Sequence, residues 1–254
     1  MIRTTSARDA ALSVLTRADD EGRIGPNEYD AKQIAAEFGL PIPRGVFVPP
    51  HQDIRTAAAE LAPPLVLKLM SPDVVHKTEF RAVRLGIPDI ETLAETRDAM
   101  LAEPQLASVR LDGFLVEEMA EASTELVIGG KIDDSFGPVL MLGVGGIFLE
   151  VLDDVAFRIC PVTSTDILGM LDGLRARRLL DGYRGLPPVD LSKVVAAALA
   201  LGGAEGLLCE LADVISEVDV NPLMVGSTSA VAADVRILGR PSGTATEDTS
   251  GASR

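Results

Sequence analysis

Residues 64–86 read PLVLKLMSPDVVHKTEFRAVRLG, and the organisation of the chain follows from what this stretch requires. Its apolar run, Leu65-Val66-Leu67-Lys68-Leu69, has the length and composition of a buried strand with one ammonium planted in the middle. A lysine buried without an anion is costly, so Lys68 needs either a structural carboxylate or a ligand anion such as phosphate. Val75-His76-Lys77 follows in a polar segment, and Ala82-Val83-Arg84-Leu85 then returns to strand-like alternation. Two cations and an imidazole thus share a strand–loop–strand unit. A surface hairpin with incidental charge would read the same way, so the rest of the chain must decide.

With 254 residues, 47% of them hydrophobic, the chain can bury a sizeable core in one or two domains. Its 23 basic and 38 acidic residues leave a net charge of -15, which argues against nucleic acid or an anionic membrane as the main partner. No apolar run is expected to approach the roughly 18 residues that span a bilayer, and Met1-Ile2-Arg3-Thr4-Thr5 does not open a signal peptide. Cys160 and Cys209, in apolar surroundings, read as reduced core residues. A cytoplasmic protein is expected.

Helical spacing covers residues 7–20, and a second helix is expected from Asn27, as N-cap, to Phe38, with Gly39 at its stop. Further helices are expected near 54–61, 90–102, 164–174 and 191–208. Short strands fall at 46–48, 113–119, 125–131 and 139–143, with a turn at 133–138; tight connections between them point to an antiparallel or mixed sheet rather than repeated βαβ units. Residues 240–254 lack large apolar residues and are expected to be a disordered tail.

Near the end, residues 214–225 and 230–236 read as the two arms of a hairpin. In Glu217-Val218-Asp219-Val220-Asn221 the period-2 alternation puts three polar side chains on one face and two valines on the other. If the arms pair, Asn221 and Asp234 come close enough to share a hard cation, and oxygen donors suit Mg²⁺. A solvated strand face is the alternative, against which Pro222 counts, since a plain strand would not place proline there.

Taken together, Leu67-Lys68, Ser71-Pro72-Asp73, His76-Lys77, Val116-Glu117-Glu118-Met119, Phe136-Gly137-Pro138-Val139, the segment 143–148 (GVGGIF), Asp154-Val155-Ala156-Phe157-Arg158 and Asp219-Val220-Asn221-Pro222-Leu223 resemble one family, in the right order. It is the ATP-grasp module of NDP-forming acyl-CoA synthetases, the ADP-forming acetate–CoA ligases, which are related to succinyl-CoA synthetase. The likeness runs from about Ala31 to Leu238.

That resemblance implies an α+β ATP-grasp fold of two lobes with nucleotide in the cleft between them. The expected boundaries are a helical extension at 1–25, a small lobe at 26–115, a large lobe at 116–239 and the tail. It implies that Lys68 and Lys77 meet nucleotide phosphate, that Glu117, Glu118 and Met119 form a hinge for adenine and ribose, that Glu125 lies on the nucleotide side, and that Arg158 assists the phosphates. Asn221 and Asp234 would hold Mg²⁺, His76 would relay phosphoryl between ATP/ADP and a partner's histidine, and Asp219 would orient the phosphohistidine. An imidazole is a competent nucleophile near neutral pH.

Two departures stand out. Phe80-Arg81-Ala82 replaces the family's usual glycine pair, which would let backbone close over phosphates, and Glu117 stands where glutamine is usual. No GxGxxG unit occurs, so a CoA-binding domain would have to come from a separate α subunit that carries the second phosphohistidine, in an α2β2-type assembly. A carboxylate–amine ligase of the same fold, or a catalytically impaired ATP-binding regulatory subunit, are the alternatives.

Overall fold

The computed structural model describes residues 6–74, 80–106, 108–121, 124–145, 154–182, 185 and 187–240. His76, Lys77, residues 146–148 and the expected tail beyond 240 lie outside the described residues.

Two helices open the chain, α1 (Ala7–Asp20) and α2 (Glu28–Glu37). Asn27 caps α2 as expected, its side chain accepting from the Asp30 amide at 2.9 Å. A four-stranded antiparallel sheet follows, built from β1 (Gly45–Val48), β2 (Leu65–Met70), β3 (Val83–Ile87) and β4 (Gly113–Glu118) in the order β1-β4-β2-β3. The short α3 (Ile54–Ala57) and α4 (Ile90–Leu101) cover one face of it. Period-2 alternation explains the division of labour: Leu65, Leu67, Leu69, Phe114 and Val116 enter the core beneath those helices, whereas Val66, Lys68, Leu115 and Glu117 turn the other way.

The second sheet is also antiparallel and larger: β5 (Thr124–Asp133), β6 (Gly137–Val144), β7 (Val155–Ile159), β8 (Ile215–Val225), β9 (Ala230–Ala232) and β10 (Val235–Gly239), in the order β10-β8-β5-β6-β7 with β9 on β8. Its inner face packs on α5 (Ser164–Gly173), α6 (Leu191–Gly202) and the short α7 (Leu207–Glu210). Strand β7 is not among the strands expected from the sequence; it is an edge strand with three of its five residues exposed, and an edge strand needs no continuous apolar run.

Three further expectations change. Ala11 of α1 and Ala31, Ile34 and Ala35 of α2 bury into the core of the large sheet, so both helices pack with the large lobe and the small lobe is formed by residues 45–118. The helix expected over 54–61 stops at Ala57. The stretch Leu191–Glu210 is in fact long and apolar enough, by length and composition alone, to cross a membrane. It is instead broken at Gly203–Gly206 into α6 and α7, and Val194, Ala197, Ala198, Leu201, Leu207 and Leu208 are buried in the large-lobe core, which accounts for its apolar character.

Arg81 adopts φ of 51°, the one non-glycine residue in the left-handed region among the described residues. A side chain there carries a steric cost that glycine avoids. The Phe80-Arg81-Ala82 departure is therefore a real backbone constraint beside the His76 segment, with Phe80 packed on the small-lobe core and Ala82 pairing to Leu69.

Candidate nucleotide and metal site

Lys68 does not sit unpaired on β2. Its Nζ lies 2.5 Å from Glu28 Oε1 and 2.9 Å from Glu117 Oε2, and donates to the Ala233 carbonyl at 2.6 Å. Of the two partners open to it in the sequence, the described structure supplies structural carboxylates. Lys32, four residues after Glu28 on α2, reaches the same groups: Glu117 Oε1 at 2.5 Å, Glu28 Oε1 at 3.0 Å and the Ala233 carbonyl at 2.7 Å. The four side chains are 1–7% exposed. Two ammoniums and two carboxylates balance, which is what permits such burial.

Burial works against the Lys68 charge, yet Glu28, Glu117 and Asp234 outweigh it and hold the ammonium above its ordinary range. Lys32 is pulled down, by burial first and by the neighbouring Lys68 ammonium. Sequence reading missed Glu28 and Lys32. The signal was present in the i, i+4 spacing of a Glu–Lys pair on α2, but such pairs are usually solvated. Gly45, opposite Glu117 on β1, makes room for the cluster: a Cβ there would lie 2.8 Å from Glu117 Cγ.

The cluster joins the lobes, because Ala233 belongs to the corner between β9 and β10 of the large sheet. Asp234 follows directly. The register pairs Val235 with Val220 and Leu223 with Ala232, and the Ala233 amide donates to the Pro222 carbonyl at 3.0 Å, so Asn221 and Asp234 occupy facing positions. Pro222 is accommodated by a bulge: β8 advances three residues, Val220 to Leu223, while β5 advances two, Ile128 to Leu126.

On the outer face of the same sheet, Glu217, Asp219 and Asn221 alternate with buried Val218 and Val220, as the sequence predicts. Glu125, Val127, Gly129 and Lys131 of β5 share this face, and Gly129 stands beside Asp219 with no side chain to cover it. Burial, then Glu217 and Asp234, push the Asp219 carboxyl up to about 6, with Arg236 opposing. Two carboxylates and an amide oxygen on facing strands are a donor set that suits a hard divalent cation.

A group whose folded pKa lies above its unfolded value near 3.8 gives stability that is full below about 4 and lost as pH rises through 6. Asp219→Asn is accordingly expected to raise the melting temperature of the metal-free chain at pH 7, by about 1–2 kcal/mol of stability, and to flatten its pH dependence between 4 and 7. Thermal unfolding across that range checks it; an unchanged profile would rule out Asp219 as a strained carboxylate.

The other sites expected from the resemblance are placed as follows. Glu118 accepts from the Ala62 amide at 2.9 Å and from Arg44 at 3.4 Å, while the Glu118 and Met119 amides donate to the carbonyls of Arg44 and Pro64. Met119 is exposed beside them. Arg158 pairs across to Leu140, whose side chain is in the core, so it stands on the helix side of the sheet near Asp166, away from the Asp219 face. Asp154, in the same motif, is buried and caps the Arg175 and Ala176 amides at 2.8 Å each, a structural role.

Residues 17–238 match the family model described as an ATP-grasp domain. The chain belongs to the ATP-grasp family. This ATP-grasp chain is 34% identical over 232 residues to the acetate–CoA ligase [ADP-forming] II subunit beta of Pyrococcus furiosus, covering 90% of this chain and 97% of that one. It is 31% identical to the 4-hydroxybutyrate–CoA ligase [ADP-forming] of Nitrosopumilus maritimus, over 85% of this chain but 30% of that longer protein. An acetyl-coenzyme A synthetase of Ca. Korarchaeum cryptofilum, solved with coenzyme A and Ca-AMPCP, superposes with a TM-score of 0.83 at 30% identity, over 91% of this chain and all of that chain. The same enzyme solved with Mg-AMPPCP has its phosphohistidine segment pointing towards the nucleotide-binding site, with a TM-score of 0.77 and 30% identity.

Proposed function

We propose that this ATP-grasp chain is the nucleotide-binding β subunit of an ADP-forming acyl-CoA synthetase, acting in the cytoplasm with a separate CoA-binding α subunit. The observation that carries the reading is convergence: Lys68 of the small lobe bonds to Ala233 of the large lobe, immediately beside Asp234 and opposite Asn221. Residues distant in sequence thereby meet at one point between two sheets. The likeness to beta subunits along nearly their whole length supports the subunit assignment.

In this reading the Lys68 ammonium lies at the phosphate end of a nucleotide, with the Glu117–Met119 hinge and Glu125 toward its nucleoside. Bound at Asn221 and Asp234, Mg²⁺ would neutralise charge spreading over the transferred phosphoryl group. A His76 ring nitrogen attacks the γ-phosphorus of ATP; the N–P bond forms as the bond to the bridging oxygen breaks, and ADP leaves. In the reverse direction phosphohistidine delivers the group to ADP. Asp219 orients the imidazole.

Incubating the chain and its α subunit with γ-labelled ATP and Mg²⁺ is expected to give acid-labile, base-stable label on this chain, lost in His76→Asn. Nucleotide binding without any label would instead leave a regulatory subunit. Turnover that survives His76→Asn would indicate an amine ligase.

A further inference from the structure

Strand β10 carries a cation onto the face that holds the proposed metal ligands. Val235 and Ile237 are buried in the large-lobe core, so Arg236 between them turns outward, onto the face of Glu217, Asp219 and Asn221. Its partner across the strand pair is Asp219, and it lies two residues beyond Asp234. Facing side chains in an antiparallel pair stand close enough to bridge. These two do not: among the described residues the exposed Arg236 guanidinium closes no ion pair and donates no hydrogen bond, and it acts on the Asp219 carboxylate through space. Lys131, on the same face, is placed differently, pairing at 3.8 Å with Asp133 out at the β5–β6 turn. Arg236 therefore keeps its donors open beside the oxygen donors that suit Mg²⁺.

We propose that Arg236 binds the terminal phosphoryl group of ATP, the group to be transferred. This rests on the proposed nucleotide reading. A guanidinium presents its N–H donors in a planar fork that matches phosphate oxygens two at a time, and it stays charged at any working pH. With the phosphoryl oxygens on Arg236, Asp219 is left to the imidazole of His76, so facing positions of one strand pair serve the two reacting groups. The guanidinium also offsets the negative charge that a polyphosphate meets at Glu217, Asp219 and Asp234. An arginine kept only to balance Asp219 would be indifferent to that last phosphate.

Calorimetry on the full chain with Mg·ADP and with Mg·AMPPNP, a non-hydrolysable analogue of ATP, reads the affinity ratio set by the terminal phosphate. Arg236→Gln is expected to lower the AMPPNP-to-ADP ratio about tenfold, as for the loss of one charge-assisted contact, with Mg·ADP bound as in the wild type. Arg236→Lys, which keeps the charge without the fork, is expected to recover only part of it. The same loss is expected in an Asp219→Asn background. A ratio unchanged by Arg236→Gln overturns the inference, as does an equal loss for both nucleotides. So does a loss that vanishes once Asp219 is replaced, which would make Arg236 a counter-charge alone. A wild-type chain that binds neither nucleotide would overturn the nucleotide reading itself, a result distinguishable from the others.

Discussion

Glu28→Gln is expected to cost about 3–5 kcal/mol of stability, lowering the melting temperature by roughly 6–20 °C for a chain of this size. The substitution barely changes shape. What it removes is one of two negative charges facing two ammoniums that water cannot reach, with side chains 1–7% exposed. Lys32 and Lys68 would then lose a carboxylate that both contact, and repulsion between them is poorly screened in the interior. The informative control is Glu91→Gln, which removes the ion pair to Arg55 at a comparable separation of 2.9 Å but on the surface, with side chains 44% and 74% exposed. That loss should stay below about 1 kcal/mol. Circular dichroism melts of the two variants side by side check the contrast, and equal shifts would mean the cluster is not a buried charge balance.

Asp234→Asn is expected to lower kcat for phosphoryl transfer by at least about 100-fold while leaving the fold intact, with partial recovery at high Mg²⁺. Asp234 faces Asn221 across the β8–β10 register and lies next to the carbonyl that anchors both lysines. An asparagine keeps an oxygen donor but removes the charge that draws in a hard cation. Arg158→Ala serves as the comparison. The resemblance gives Arg158 a phosphate role, yet its pairing with Leu140 turns it to the helix side of the sheet, so a change within about threefold is expected. A comparable loss in both variants would show that the Asp219–Asn221–Asp234 face is not where the phosphates lie.

The register that separates these two residues also shows what could be read from sequence. Alternation in Glu217-Val218-Asp219-Val220-Asn221 is a local property of one strand, and the structure reproduces it side chain by side chain. The same rule fixes Lys68 on the face away from Leu67 and Leu69. Arg158 escaped because its strand, β7, is short, lies at an edge and has exposed apolar residues, leaving no alternation from which to assign a face. The break between α6 and α7 was missed for a related reason. Apolar composition continues through it, and only the packing of both pieces on the large sheet shows that the glycines at 202–203 end a helix rather than interrupt one.

By itself the sequence determined the alternation of Glu217 to Asn221, the Asn27 cap of α2, the hairpin that carries Asn221 and Asp234, and the need of a buried Lys68 for an anion. Each depends on neighbours within a few residues, where backbone periodicity and capping act. Only the tertiary structure decided which anion answers that need. Glu28 and Lys32 on α2, Lys68 on β2, Glu117 on β4 and Ala233 at the β9–β10 corner come from four separate parts of the chain, and contacts among groups up to 205 positions apart, Glu28 to Ala233, exist only once two lobes close on each other.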